Sequence, residues 1–584
     1  MNRERTQANV YPFIPSLSTN VLLYVVEQHG FMHIAWETEG DLHAAELAIY
    51  LNCPLISEDS DFYLFVSEGP TELCFVRQSS IVWNAKRLHT SCDRCRANAN
   101  QCHVLLCEKF CRNTSPLKSV SRKLLPLLSV LIGNDLIDPA PMFGLISDCR
   151  GSNPPRIRSR NVSRIDTCIR WLSQFHGEDL GEALRIILFN CLGEDSVGTV
   201  KRIIKTVLTY VINPRQLDPS IIELLKIPKA KQEEQMDHVT IHESYEKAIQ
   251  SMLHESPHDH HGGDNNILGR TIDVMFQWPL SLVRQFRLSL CPTYALDALY
   301  VRGGVVLGIS YEDTKLPQSV HKVSQELRAM QYNILLGLEE QLRLVDSKCY
   351  GLVDHKVTEH TIINGQFQPI CIPCKPYRLH HIEEFLNKHF SCPVSELNDP
   401  FDRQLYIILD LWFRNSQLAG NQCESINDSP VALAFTAFVY ATKDCYPGIG
   451  ELYRHVKHFQ SICEDANRTE QFHAHITHQL VELQLITVEL NAIVQMVMGI
   501  TPSDEPSERT GLNPFEMWRM FGSCEAIYWL ARTLELQPVH ERFGQTKNRW
   551  IRRLTCSSSN ERAENRMDQA INRFNHLWRA IKLQ

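Results

Sequence analysis

The chain has 584 residues, 43% hydrophobic and 22% charged, which are the proportions of a folded globular protein, and its length leaves room for about three or four domains. A net charge of −8 excludes a global basic field, so any nucleic-acid contact would have to use a local patch. Twenty cysteines, behind a start that lacks a basic stretch followed by an apolar one, predict reduced thiols in an intracellular protein without a signal peptide.

Residues 1–88 alternate helix and short apolar strand, the pattern of an α/β layer. Trp36-Glu37-Thr38-Glu39-Gly40-Asp41 predicts the acidic opening of a helix that runs through His43–Ala48. Residues 53–65 (CPLISEDSDFYLF) predict a strand at 53–56, followed by Asp59-Ser60-Asp61. In an extended segment residues i and i+2 point the same way, so both carboxylates would converge at the strand end. Converging carboxylates are costly without a cation between them, and hard divalent ions such as Mg²⁺ or Mn²⁺ suit them. The alternative is an Asp-rich turn with solvated charges. Glu58 should point to the opposite face and take no part. A second strand is expected at 73–76.

A Cys-rich insert interrupts this pattern at 89–120. Cys92, Cys95, Cys102, His103, Cys107 and Cys111 are candidate ligands for a structural Zn²⁺, six for four positions; free thiols in an irregular insertion are the alternative. Cys371 and Cys374 form a second pair of the same spacing, with zinc again a candidate. Residues 124–135 (LLPLLSVLIGND) predict an apolar helix that ends at Gly133 and presents Asp135. The loop 149–164 carries Arg150, Arg156, Arg158, Arg160 and Arg164 ahead of a helix expected at 165–175, an arrangement suited to phosphate if it is not simply a solvated linker. Residues 226–266 read as a linker with one helix at 244–253 and a His-rich tract at 254–261. Helix dominates beyond. The apolar stretch 483–500 is interrupted by Glu489 and Asn491 and predicts a buried helix, not a membrane span. Met567, Ile571, Phe574, Trp578 and Ile581, spaced four, three, four and three, predict a packed helix face.

The ordered set Glu39-Gly40-Asp41, Asp59-Ser60-Asp61 and Gly133-Asn134-Asp135, each after an apolar element, resembles the flap-endonuclease/XPG superfamily and, within it, the asteroid family. Residues 53–65 are similar to the asteroid pattern C-P-V-L-S-x-D-S-D-F, and Phe13–Ser16 followed by 21–31 resembles the segment before the acidic helix. Leu296–Leu299, Tyr311–Thr314, Leu316–Ser319 and Tyr332–Gly337 also look like asteroid segments, so the likeness spans about two thirds of the chain.

The resemblance implies an α/β fold: a partial PIN-like domain at 1–148 with its Cys-rich insert, a basic loop and helical region at 149–225, the linker at 226–266, an asteroid region at 267–400 and a mostly α-helical C-terminal domain at 401–584. It implies a structure-specific DNA endonuclease dependent on Mg²⁺ or Mn²⁺, with Asp59, Asp61 and Asp135 in one metal cluster, Glu39 (or Glu37) and Asp41 in its partner, and the five arginines as DNA contacts. The substrate would be branched or single-strand-containing DNA, and the location nuclear. The family's first strand and its two N-terminal aspartates have no counterpart ahead of Glu39, so weak or absent activity is expected of the chain as written. The alternative function is a non-catalytic scaffold in growth-factor-receptor signalling, with protein partners on the helical C-terminal half. A zinc-containing nucleic-acid-binding module is a third reading.

Overall fold

The structure, a computed structural model, describes residues 40–67, 72–88, 102–133, 160–175, 180–191, 278–300, 319–342, 355–363, 366–378, 425–443, 473–500, 523–555 and 561–582, together with parts of 22–36, 203–226, 305–307 and 397–416 and a few neighbouring positions. Contacts group the chain into two compact units, 39–270 on the one hand and 1–38 with 271–584 on the other. The expected helix at 244–253 and the His-rich tract lie outside the described residues.

In unit 39–270, helix α1 (Asp41–Leu51) is followed by strand β1 (Leu55–Ser57), a 3₁₀ turn (Ser60–Tyr63), β2 (Val66–Ser67) and β3 (Phe75–Arg77). The strand expected at 53–56 starts two residues late. Asn52 takes a left-handed conformation (φ 51°) to cap α1, Pro54 has no N–H, and the ladder opens only where the Leu55 N–H donates to the Cys74 carbonyl at 2.8 Å. The helix expected from Trp36 begins at Asp41, with Gly40 as its N-cap; Trp36 lies outside any helix, with the Arg287 guanidinium 4.6 Å from its ring centroid.

Strand β1 pairs parallel with β3, Leu55 opposite Phe75. Strands β4 (Val82–Leu88) and β5 (Cys102–Leu106) form an antiparallel ladder. Helix α2 (Leu125–Ile132) is buried from Leu125 to Leu131 and stops at Gly133, whose φ of 84° is the turn that a glycine there permits. Helix α3 (Arg160–Leu172) starts five residues ahead of its expected place. After α4 (Leu180–Cys191), β6 (Val211–Ile212) pairs parallel with β2. Phe62, Phe75, Leu128, Trp171, Leu184 and Val211 share one core, so α3 and α4 belong to the same unit as the strands.

The second unit is mainly helical: α5 (Leu280–Arg287), α6 (Tyr294–Tyr300), α7 (Gln325–Gln341), α8 (Pro400–Asn415), α9 (Pro430–Lys443), α10 (Ala474–Ile500), α11 (Cys524–Glu535) and α12 (Glu561–Lys582). A small sheet accompanies them: β7 (Val305–Val306) lies parallel to β9 (Lys356–Ile363), which pairs antiparallel with β8 (Leu352–Val353) and β10 (Gln366–Pro373). Helix α10 is long and apolar enough to cross a membrane, but 83% of its most apolar window is buried inside the fold. It is the central helix of the core, in contact with α5, α7 and α8. On α12, Met567, Ile571, Phe574 and Trp578 are buried and Ile581 packs against the same core, as their spacing predicts. Residues 267–400 and 401–584 thus share one core through Leu335, Leu405 and Leu490.

Gly337 on α7 meets the backbone of Tyr377. The Tyr377 N–H donates to the Asn333 carbonyl and the Lys375 N–H to Asn333 Oδ1, both at 2.9 Å. A Cβ on Gly337 would sit 2.7 Å from the Tyr377 carbonyl carbon. Gly337→Ala is therefore expected to lower the unfolding free energy by about 2–3 kcal/mol. Gly544→Ala, where a Cβ meets nothing within 4 Å, should instead be neutral or stabilising; urea titrations of the two variants read the contrast.

Candidate metal-dependent site

The Asp59–Asp61 turn lies just beyond a strand and not within it. Strand β1 finishes at Ser57, whose Oγ accepts from the Asp59 N–H at 3.1 Å. Asp59 (φ −67°, ψ 128°) is the N-cap of the 3₁₀ turn, its Oδ1 accepting from the Asp61 N–H at 2.9 Å. The two carboxylates therefore do not converge by strand alternation. A short acceptor side chain ahead of a turn competes with the extended form, and here the cap wins. The next residue, Phe62, is 4% exposed and stacks on Phe65 at 5.4 Å, which roots the turn in the core while Asp59 stays exposed and Asp61 half-buried.

Tyr210 orients Asp61. Its hydroxyl donates to Asp61 Oδ2, its ring packs on Phe65 at 5.1 Å, and its carbonyl accepts from the Val66 N–H at 3.0 Å where β2 meets β6. No signal in the sequence marks this residue, which is 149 positions from Asp61.

Glu58 has partners of its own. The Ser79 backbone N–H donates to its carboxylate, and Ser79 Oγ (3.2 Å) and the Arg77 guanidinium (3.1 Å) add to that. The Ser79 N–H, ahead of the Ser79 hydroxyl and Arg77, holds the Glu58 carboxyl below the usual carboxylate range.

Asp41 opens α1 in its first turn, and α1 packs against β1 and β6. The helix runs eleven residues, about 16 Å. Glu37, Glu39 and Asp135 are outside the described residues. Among the described residues, Asp41, Asp59 and Asp61 are not a group of three with ligand atoms within 4.8 Å of one another. The donor set itself, all carboxylate oxygen, is that of a hard cation.

Behind the turn, a small cavity is lined by Tyr63, Phe110, Glu72, Arg112 and Arg122. Burial pulls the half-buried Arg122 guanidinium below its ordinary value, and Arg112 adds to the effect.

The Cys-rich segment divides. Cys102 and His103 stand at the start of β5, where Leu88 and Arg87 are their ladder partners. Cys107 lies beyond its far end, about 16 Å away at 3.3 Å per residue. Cys107 and Cys111 are exposed free thiols beyond the far end of the ladder from Cys102 and His103. Cys92 and Cys95 are outside the described residues. In the second pair Cys371 is exposed, whereas Cys374 is buried, its thiol pushed up by burial to about 12, which disfavours the thiolate a metal needs. Of the arginines, Arg160 and Arg164 lie in the first turns of α3 and not in a loop; Arg150, Arg156 and Arg158 are outside the described residues.

The chain is homologous to proteins named single-strand DNA endonuclease ASTE1. It is 23% identical to that of Danio rerio over 435 residues, 73% of this chain and 50% of the relative. It is 29% identical to that of Mus musculus over 176 residues (30% of this chain, 24% of the relative) and 28% identical to that of Homo sapiens over 162 residues (28% and 22%). The chain thus spans half the length or less of the curated relatives it matches. No family model matches it, and no solved structure does.

Proposed function

We propose that unit 39–270 carries the metal-dependent site of an asteroid-type, PIN-like nuclease of the flap-endonuclease/XPG superfamily, and that its substrate is single-stranded DNA. The observation that carries this reading is the place of Asp59 and Asp61, just past the carboxyl end of a parallel strand, the end where open α/β sheets bind ligands. The homology to endonucleases named for single-strand DNA supports the substrate class.

In this reading Asp59, Asp61 and Asp135 hold one Mg²⁺ or Mn²⁺, and Asp41 with Glu39 holds a second. Bound there, the ions would activate water and neutralise charge on the scissile phosphate. The protein's own part is to fix the carboxylates. The cap locks Asp59 against the 3₁₀ turn, and the Tyr210 hydroxyl holds Asp61 in one orientation. The arginines of 150–164 would grip the DNA backbone.

The test is cleavage of a 5′-labelled single-stranded oligonucleotide by the full chain with Mg²⁺ or Mn²⁺. A duplex and an EDTA-treated reaction serve as controls. Weak metal-dependent cleavage that prefers the single strand is expected; equal cleavage with EDTA overturns the reading. Tyr210→Phe is expected to weaken Mn²⁺ binding at least about tenfold, because it frees a ligand carboxylate from its orienting contact. It should cost only about 1 kcal/mol of stability. A Mn²⁺ titration of the variant gives the first number and a urea titration the second.

A further inference from the structure

A second metal-binding constellation stands in the helical unit, built from nitrogen as well as oxygen. His473 sits just ahead of α10, His475 is the second residue of that helix, and Glu535 ends α11. His473 Nδ1 lies 3.0 Å from Glu535 Oε2, and His475 Nε2 lies 2.6 Å from Glu535 Oε1. The two rings are 5.5 Å apart with planes inclined by 35°. Within a helix, positions i and i+2 point to different sides. His473 escapes that rule because it precedes the helix, where its backbone N–H donates to the Tyr528 hydroxyl at 2.9 Å. The chain turns there, and both imidazoles close on one carboxylate.

We propose that His473, His475 and Glu535 bind a zinc-class divalent cation, with a fourth coordination position left open to water. One donor atom from each of the three residues lies within 4.8 Å of the others. A tetrahedral ion with bonds of about 2.0–2.1 Å holds its donors about 3.3 Å apart, so the ion would enter with small side-chain shifts. Two imidazoles and a carboxylate select a borderline metal over Mg²⁺ or Ca²⁺. The three side chains are 28%, 29% and 27% exposed, which admits an ion while keeping the ligands fixed. The Glu535 carbonyl is tied in turn by the Arg542 guanidinium at 3.1 Å. The bound ion would clamp the start of α10 to the end of α11.

The experiment loads the full chain with Zn²⁺, and in parallel with Co²⁺, under reducing conditions, and compares it with His473→Ala/His475→Ala. The Cys-rich segment and the His-rich tract are identical in both chains, so the difference between them isolates this site. The expected result is one metal ion per chain fewer in the double variant. Cobalt d–d bands that carry no thiolate charge transfer should disappear with it. Glu535→Gln keeps the shape of the site and should weaken Zn²⁺ at least about tenfold; it decides the matter should the double variant not fold. Equal metal content and unchanged cobalt spectra overturn the proposal, whatever the outcome of the nuclease assay.

Discussion

Glu359→Ala is expected to remove about 3–5 kcal/mol from the stability of the helical unit, because it leaves a buried guanidinium without its counter-ion. Arg328 on α7 and Glu359 on β9 are 1% and 0% exposed. They meet bidentately, Nε to Oε1 at 2.7 Å and Nη2 to Oε2 at 2.8 Å. The third nitrogen, Nη1, donates to the His321 carbonyl at 2.9 Å and to Ser324 Oγ at 2.7 Å, and the Tyr332 hydroxyl donates to Glu359 Oε1 at 2.7 Å. Burial alone would pull the guanidinium down, but the Glu359 carboxylate beside it raises it above its ordinary value. A loss of this size is a large share of a typical domain's 5–15 kcal/mol. Arg328→Met with Glu359→Leu should recover only part of it: no unpaired guanidinium remains, but buried Glu489 loses the Arg328 charge that favours its ionised form, and the Tyr332 hydroxyl loses its acceptor. Urea unfolding followed by tryptophan fluorescence reads this unit, because only Trp83 and Trp171 fall within 39–270. A loss below about 1 kcal/mol for Glu359→Ala would sink the argument.

That ion pair also shows what stays hidden in a sequence. Arg328 stands in QELRAMQYNILLGL, where it reads as the polar face of an amphipathic helix. Its partner is 31 residues away on a strand, and no local pattern links them. Patterns carried by one element alone were legible: the apolar run Leu125–Leu131, the stop at Gly133 and the stripe on α12 all read correctly, because burial of one face dictates the periodicity. Boundaries went astray where a local hydrogen bond or charge competes with the pattern. The start of α3 was placed at 165 because the Pro-containing, arginine-rich stretch 149–164 reads as a loop, yet the helix begins at Arg160. At Asp59 the residue types were readable and the conformation was not, since an Asp before Ser-Asp fits a strand end and a cap equally well. Tyr210 and Glu535 were invisible for the reason Glu359 was: each acts on a residue 60 or more positions away, or across to another element.

Asp59→Asn and Asp61→Asn are each expected to lower metal-dependent cleavage of single-stranded DNA at least about 100-fold, while the fold survives. The amide is the informative choice. Asn is as good an N-cap as Asp, so Asp59→Asn keeps the acceptor for the Asp61 N–H and loses only the charge that a cation needs. Asp61→Asn likewise keeps an oxygen for the Tyr210 hydroxyl. Asp59→Ala would confuse the matter by removing a cap worth about 1 kcal/mol as well as a ligand. Glu58→Gln is the matched control: its carboxylate is spent on Arg77 and Ser79, so cleavage should stay within about twofold of the unaltered chain. Mn²⁺ binding, followed by the paramagnetic resonance of the free ion, provides a readout that does not depend on turnover. Both aspartate variants should lose affinity there and Glu58→Gln should not. If both bind Mn²⁺ and cleave DNA as well as the unaltered chain does, the Asp59–Asp61 turn is only a capped turn, and the metal must be held elsewhere.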